Sequence, residues 1–171
     1  MGIPAYFSHI VKEHRNILKQ LSSSKFLIDY LFLDSNSIIY DIIRANDYSI
    51  NDEQFENNCI HEICKQLEYY IKIINPKKKV LIAFDGVAPV AKLKQQQNRR
   101  YKNDYLRNLF NDGKKKEWNT SAITPGTKFM KKLSEKVTNY FSEKENVIVS
   151  TSNESGEGEH KIFEYIRKNN K

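Results

Sequence analysis

The sequence contains no apolar run that approaches the roughly 18 residues of a membrane-spanning helix. Its first residues also lack the apolar segment of a signal peptide. There is no Gly-rich phosphate loop of the G-x-x-x-x-G-K or G-x-G-x-x-G type, so ATP and nicotinamide chemistry have no support. We expect a soluble intracellular protein that has no membrane partner, and the sequence leaves cytoplasm, nucleus and a viral origin open.

Cysteine is scarce, with two residues, Cys59 and Cys64, in the whole chain. They lie five positions apart in a segment with helical periodicity, and His61 stands between them. A zinc site is one interpretation of this grouping, but a structural zinc site takes four ligands and the sequence offers no fourth nearby. Cys59 also continues an apolar stripe with Phe55 and Leu67, so we expect reduced thiols that pack in the core.

A length of 171 residues fits one domain, and the sequence shows neither an internal repeat nor a Pro-rich or Gly/Ser-rich linker. The formal net charge is +7, which favours a polyanionic partner. The basic residues are 22 lysines and six arginines, scattered along the chain. Their individual positions are therefore more informative than their total.

The spacing of apolar residues predicts an α/β fold. Buried strands are predicted over residues 27–33 and 80–84, with a third short strand over 146–150. Helical periodicity predicts helices over residues 3–21, 35–44, 51–74, 89 to about 107, the segment after Thr127, and 160–168. The strand-helix-helix-strand order is most simply parallel, so we expect a central, mostly parallel sheet flanked by helices.

Acidic residues follow all three predicted strands. Asp34 comes directly after the first strand and Asp85 directly after the second. Since the carboxyl ends of parallel strands meet at one edge of a sheet, where α/β sheets bind ligands, these two carboxylates are expected to share a site. Glu157 and Glu159 follow the third strand, and they reach one site only if the backbone bends at a neighbouring glycine, because helical residues two apart point about 200° from each other. Taken alone, acids near a helix start are more often caps.

A basic face is predicted on the helix that starts near residue 89. Four of its side chains have the spacing i, i+4, i+7 and i+8, which places them on one face: Lys92, Gln96, Arg99 and Arg100. A solvated surface is the ordinary interpretation of a basic helix face. The alternative is an anion pocket beside a carboxylate metal site, which is the combination that phosphodiester chemistry needs.

Five segments of the chain resemble the Xrn family of 5′→3′ exoribonucleases. They are MGIPAYF (1–7), LFLDSNSIIY (31–40), AFDGVAPVAKLKQQQNRR (83–100), SAITPGTKFM (121–130) and SGEGEHKI (155–162). They occur in the family's order and span nearly the whole chain. The resemblance implies a nuclease core of the PIN/flap-endonuclease type and processive removal of nucleotides from RNA that carries a 5′-monophosphate.

The resemblance also implies roles for individual residues. The family's metal-binding acids match Asp34, Asp85, Glu157 and Glu159. Hard oxygen ligands favour Mg²⁺ or Mn²⁺, and a complete site holds two ions. The family's 5′-phosphate pocket matches the basic face: Lys92, Gln96, Arg99 and Arg100. Where the family usually has a histidine that stacks on the first base, this chain has Tyr40, which keeps an aromatic face but does not titrate near neutral pH.

Members of the family continue well beyond 171 residues, with further aspartates in the metal site. We therefore expect residues 1–171 to form a single nuclease-like domain that is incomplete at its C-terminus, and to bind RNA and a divalent metal while degrading RNA poorly. Two interpretations stay open: a metal-dependent 5′→3′ exoribonuclease, or a catalytically weak or inactive remnant that binds RNA 5′ ends. A DNA flap nuclease is disfavoured because the QQQNRR and TPGT segments are Xrn-like.

Overall fold

The computed structural model describes residues 5–18, 27–46, 48, 51–110 and 118–169, with side chains for all of these except 99, 103, 104, 107, 108 and 110. Within these residues the strands are β1 (Tyr30–Asp34), β2 (Lys79–Ala83) and β3 (Val147–Ser150). The helices are α1 (Tyr6–Glu13), α2 (Asn36–Ala45), α3 (Asp52–Ile74), α4 (Val90–Phe110), α5 (Lys128–Phe141) and α6 (Gly158–Asn169). Short 3-10 turns occur at Arg15–Ile17 and Thr120–Ala122. None of the described helices is long and apolar enough to cross a membrane.

The three strands form one parallel sheet in the order β1-β2-β3. The register pairs Asp34 with Ala83 and Ala83 with Ser150, so all three strands end at the same edge of the sheet. Helices α2 and α3 connect β1 to β2, and α4 and α5 connect β2 to β3. The predicted α/β fold with a parallel sheet flanked by helices is confirmed.

The sheet buries both of its faces. Val80 and Ile82 belong to the main core, which lies between the sheet and helices α2, α3 and α5. Leu81 and Ala83 point to the opposite face, because side chains alternate along a strand, and they are also buried. Helix α6 covers that face, where Tyr165 contacts the ring of Phe32 edge-on. The sheet edge that carries the acids is therefore set by packing on both sides.

Both cysteines lie in the main core. Cys59 and Cys64 are buried, and neither forms a disulfide. Burial raises the pKa of each thiol to about 11, so both stay protonated at neutral pH. His61, between them in sequence, points to solvent. The prediction that both thiols pack in the core is confirmed.

The N-terminal helix is shorter than its apolar spacing predicts. A single helix is predicted over residues 3–21, but within the described part of that range α1 ends at Glu13 and a 3-10 turn follows. Phe7 is 69% exposed and Ile17 is 52% exposed, so the described residues do not bury the apolar stripe. A short helix gains most of its stability from packing of its apolar face. Among the described residues α1 has little such packing, which explains why the helix ends early.

Strand β1 also begins later than predicted, at Tyr30 instead of residue 27. Its partner β2 begins opposite Tyr30 at Lys79, so the parallel ladder starts there. Before the ladder, the N–H of Lys77 donates to the carbonyl of Ile28 at 2.8 Å, and Leu27 is 82% exposed. The remaining strands and helices match their predicted ranges within three residues.

Glu68 on α3 connects three parts of the fold. Its carboxylate accepts hydrogen bonds from Lys144 at 2.8 Å and from the Tyr140 hydroxyl at 3.1 Å, and Lys72 lies 3.1 Å away. The bonds from Lys144, Lys72 and Tyr140 together lower the pKa of Glu68 to about 2. Since Tyr140 lies in α5 and Lys144 lies just before β3, the carboxylate ties α3 to the segment that leads into β3.

We predict that Glu68→Gln lowers the melting temperature most at neutral pH. The pKa of Glu68 in the folded protein is below its ordinary value of 4.5, so the ionised carboxylate stabilises the fold above pH 4.5 and loses this effect as the pH falls toward 2. Circular dichroism from pH 2 to 7 should therefore show the difference between wild type and variant narrowing below pH 4.5. Glu164→Gln, which removes an exposed pair with Lys168, is the matched control and should shift the melting temperature less. A difference that stays constant over the whole range would contradict this role.

Candidate functional site

Two aspartates lie at neighbouring strand ends, as predicted. Asp34 is the last residue of β1, and Asp85 lies two residues beyond β2. Both oxygens of Asp85 are held: the Asn36 amide donates to Oδ2 at 2.8 Å, and the Gly158 N–H donates to Oδ1 at 2.7 Å. Asn36 also accepts from the Asp85 N–H at 3.1 Å. The start of α2 and the start of α6 therefore fix the orientation of one carboxylate.

Gly158 is in contact with the second aspartate as well. A Cβ atom built on Gly158 would lie 2.6 Å from Oδ1 of Asp34 and 3.1 Å from its Cγ. No real side chain fits at that distance, so the Asp34 carboxylate occupies the space that the missing side chain leaves. Gly158 therefore lies against Asp34 and Asp85 together, and it separates Glu157 from Glu159 in the sequence.

The two glutamates lie near each other because of where α6 begins. The helix starts at Gly158, two residues before the predicted start, so Glu157 precedes it and Glu159 lies in its first turn. The regular helical angle between residues two apart does not apply across this boundary. Ligand atoms of Glu157, Glu159 and His160 all lie within 4.8 Å of one another. The two glutamates are therefore close to each other, although Asp34 and Asp85 do not belong to this group of atoms.

The other three acids act electrostatically on Asp34. The pKa of Asp34 is raised, first by burial and then by the charge of Asp85, with smaller contributions from Glu159 and Glu157. A hydrogen bond from the backbone N–H of Asn36 opposes the shift. Clustered carboxylates of this kind are the ligands that hard divalent cations prefer, so the residues present fit such an ion. We refer to Asp34, Asp85, Glu157 and Glu159 as the acidic cluster.

The basic face of α4 begins at the acidic cluster. Lys92 lies in the first turn of α4, and its Nζ is 2.5 Å from Oε2 of Glu157. This hydrogen bond raises the pKa of Lys92, so the side chain stays charged. Gln96 is half-buried one turn further along, and Arg100 is exposed a further turn along. The side chain of Arg99, the fourth predicted residue, lies outside the described part of the structure.

Tyr40 lies on α2, one turn beyond Asn36. Its ring is partly buried against the main core, and the guanidinium of Arg44 lies 5.8 Å from the ring centroid. These described contacts do not bring Tyr40 into the acidic cluster, although α2 connects the two. Its predicted role in stacking on a base stays a prediction.

A family described as "XRN 5'-3' exonuclease N-terminus" matches residues 1–171. The chain belongs to this family. The Saccharomyces cerevisiae protein named 5'-3' exoribonuclease 1 is 33% identical over 186 residues, which cover 98% of this chain and 12% of the yeast protein. The proteins of the same name from Schizosaccharomyces pombe and Homo sapiens are 34% and 30% identical, again over 98% of this chain, and the matched parts are 14% and 11% of their lengths. The chain thus spans a small part of these XRN relatives.

Sequence patterns did not single out Asn36, which the structure places against Asp85. The polar run at residues 35–37 predicts a helix cap, but the side chain of Ser35 makes no capping bond and its hydroxyl donates to the Leu33 carbonyl at 3.3 Å. Asn36 contacts Asp85 instead, across 49 residues of sequence. The sequence feature that could have identified Asn36 is its position two residues after Asp34 in the XRN-like segment. His160, beside the glutamates, was also missed, and its 3.7 Å approach to Glu157 has no marker in the sequence.

We predict that Gly158→Ala weakens divalent-cation binding. The added Cβ must displace the Asp34 carboxylate, and disturbing such a contact should lower Mn²⁺ affinity by about tenfold or more in calorimetry. Helix propensity alone favours alanine by up to about 1 kcal/mol, so it predicts no loss of stability. Ser155→Ala, an exposed change in the same loop, is the control. Wild-type affinity in Gly158→Ala would show that Asp34 does not take part in binding the ion.

Proposed function

We propose that residues 1–171 form a metal-dependent nuclease domain that acts on RNA from a 5′-monophosphate end, in the 5′→3′ direction, and that is slow on its own. The observation that carries this proposal is the position of Gly158, which lies between Glu157 and Glu159 in the sequence and contacts both Asp34 and Asp85. Membership of the XRN family supports it, since the relatives are named 5'-3' exoribonucleases. An RNA substrate also agrees with the net charge of +7.

We propose Mg²⁺ or Mn²⁺ as the cation, held by the acidic cluster. A bound divalent cation supplies positive charge against the phosphate oxygens and activates water for attack on phosphorus. The residues around the acids orient the carboxylates for binding the cation. Asn36 and the Gly158 N–H orient Asp85, and the tight contact with Gly158 places Asp34 beside it. These acids suffice for one ion, and two ions belong to a complete site.

The basic face of α4 is proposed to bind the 5′-phosphate. Lys92 is 2.5 Å from Glu157, so the pocket begins next to the acidic cluster, and successive helical turns of about 5.4 Å carry Gln96 and Arg100 away from it. A terminal monophosphate carries more charge than an internal diester and gains more from these donors. An end held there presents the next phosphodiester to the acids, which explains stepwise removal from the 5′ end.

Tyr40 is proposed to stack on a base near that end. The ring stands on α2, whose first residue Asn36 contacts Asp85, so α2 leads from the acidic cluster toward the aromatic face. Stacking of a base on an aromatic ring is tolerant of sequence, as a processive exonuclease requires.

We predict that Asp34→Asn and Asp85→Asn each lower the rate of degradation of 5′-monophosphorylated RNA by more than about a hundredfold. Each change removes a charge from the acidic cluster and keeps the volume of the side chain, so the fold is expected to remain intact by circular dichroism. Asp29→Asn is the matched control, because this exposed aspartate pairs with Lys78 just before β1, away from the cluster. Near wild-type rates in either cluster variant would end the metal-site assignment.

We predict that Arg100→Ala removes the preference for a 5′-phosphate. The loss of a charged contact should cost about 1.5 to 3 kcal/mol of binding for a phosphorylated end and little for a 5′-hydroxyl end. Fluorescence anisotropy with matched 5′-phosphate and 5′-hydroxyl oligonucleotides measures both. Lys94→Ala, also exposed but on another side of α4, is the control. Equal losses on both oligonucleotides would mean that Arg100 contacts only the RNA backbone.

A further inference from the structure

Lys161 is a buried lysine behind the acidic cluster. It lies in the first turns of α6, and only 8% of the residue is exposed. Its ammonium donates to the carbonyl of Phe84 at 2.8 Å and to the carbonyl of Thr151 at 2.7 Å. Among the described residues, no carboxylate lies within ion-pair distance of its Nζ. Burying a charge is costly unless it is paired and hydrogen-bonded, so a lysine held by two main-chain carbonyls calls for an explanation.

The two acceptors belong to the segments that carry the acids. Phe84 directly precedes Asp85, so a bond to its carbonyl fixes the backbone from which that carboxylate projects. Thr151 follows β3 and begins the loop that leads to Glu157. Lys161 itself lies two residues beyond Glu159 on α6. One side chain thus links the backbones that position three of the four acids.

Neighbouring contacts restrain the same segments, and at the start of the loop Lys161 acts together with the N–H of Phe84, which donates to the carbonyl of Ser150 at 2.9 Å. The N–H of Gly86 donates to the carbonyl of Gly156 at 2.8 Å, and the N–H of Gly156 donates to the carbonyl of Val87 at 3.2 Å. These bonds join the far end of the loop to the chain beyond Asp85. The ammonium of Lys161 joins the near end of the loop to the chain before Asp85. Both ends of the loop are therefore hydrogen-bonded to residues that flank Asp85.

We propose that Lys161 is a positioning residue, whose buried ammonium fixes the separation of Asp85 from Glu157 and Glu159 and so sets the affinity of the acidic cluster for a divalent cation. It contacts neither RNA nor the ion. This inference rests on the proposed metal-dependent function. The inference predicts the direction in which metal affinity changes when Lys161 is replaced. By charge alone, removing a cation near the acids would strengthen metal binding. Removing a positioning contact weakens it.

The test compares wild type with Lys161→Met, which keeps most of the unbranched side chain and removes its ammonium, with the charge and the donors. Lys168→Met is the matched control, since Lys168 lies on the same helix with a side chain that is 71% exposed. Two affinities are measured under conditions in which circular dichroism shows every variant folded: Mn²⁺ by calorimetry, and a 5′-phosphorylated RNA by anisotropy in metal-free buffer. We expect Lys161→Met to lower Mn²⁺ affinity by about tenfold or more and to leave RNA affinity within about twofold.

Other results would overturn the inference. A purely structural role would weaken both affinities together, and unchanged or tighter Mn²⁺ binding would show that Lys161 does not position the acids. If Lys161→Met does not fold, Lys161→Arg provides the test. The guanidinium of arginine keeps the charge and the donors, but it is larger than an ammonium and displaces the carbonyls of Phe84 and Thr151. It should lose Mn²⁺ affinity and keep RNA affinity, and wild-type Mn²⁺ affinity would overturn the proposal. Failure of the wild-type chain itself to bind Mn²⁺ would contradict the proposed function, and the inference would fall with it.

Discussion

The parallel register of the three strands is the constraint on which the site depends. Asp34 is paired with Ala83, and Ala83 with Ser150, so the segments that follow β1, β2 and β3 all leave the sheet at one edge. Asp34 and Asp85, which end or closely follow two of these strands, are therefore brought to the same edge of the sheet. The core packs on one face of the sheet and α6 packs on the other, so the position of this edge is set by packing on both sides.

Holding carboxylates together costs free energy through their mutual repulsion, and the structure offsets this with donors and cations placed around the cluster. Asp85 accepts from Asn36 and from the N–H of Gly158, where the start of α6 favours negative charge. Glu157 is paired with Lys92. The pKa of Asp34 is raised, first by burial and then by the charge of Asp85. Such a cluster is poised to gain from a divalent cation.

The fold and the strand-end positions of Asp34 and Asp85 followed from the sequence, because buried strands and helical stripes have strong apolar periodicity and these two aspartates come directly after two of the predicted strands. The contacts that orient the acids did not follow. Asn36 looks like a helix cap in sequence, and Lys161 looks like an ordinary basic residue of a charged helix, since both bind partners more than 45 residues away. Helix α1 was overpredicted because its apolar stripe has no described surface to pack on.

The most direct test of the acidic cluster is a crystal structure of the chain grown with saturating Mn²⁺, in which anomalous scattering locates the ion. The account predicts an anomalous peak within coordination distance of carboxylate oxygens from both Asp34 and Asp85, with at least one of the two glutamates as a further ligand. The absence of a peak at this sheet edge, or an ion whose ligands include neither aspartate, would contradict it.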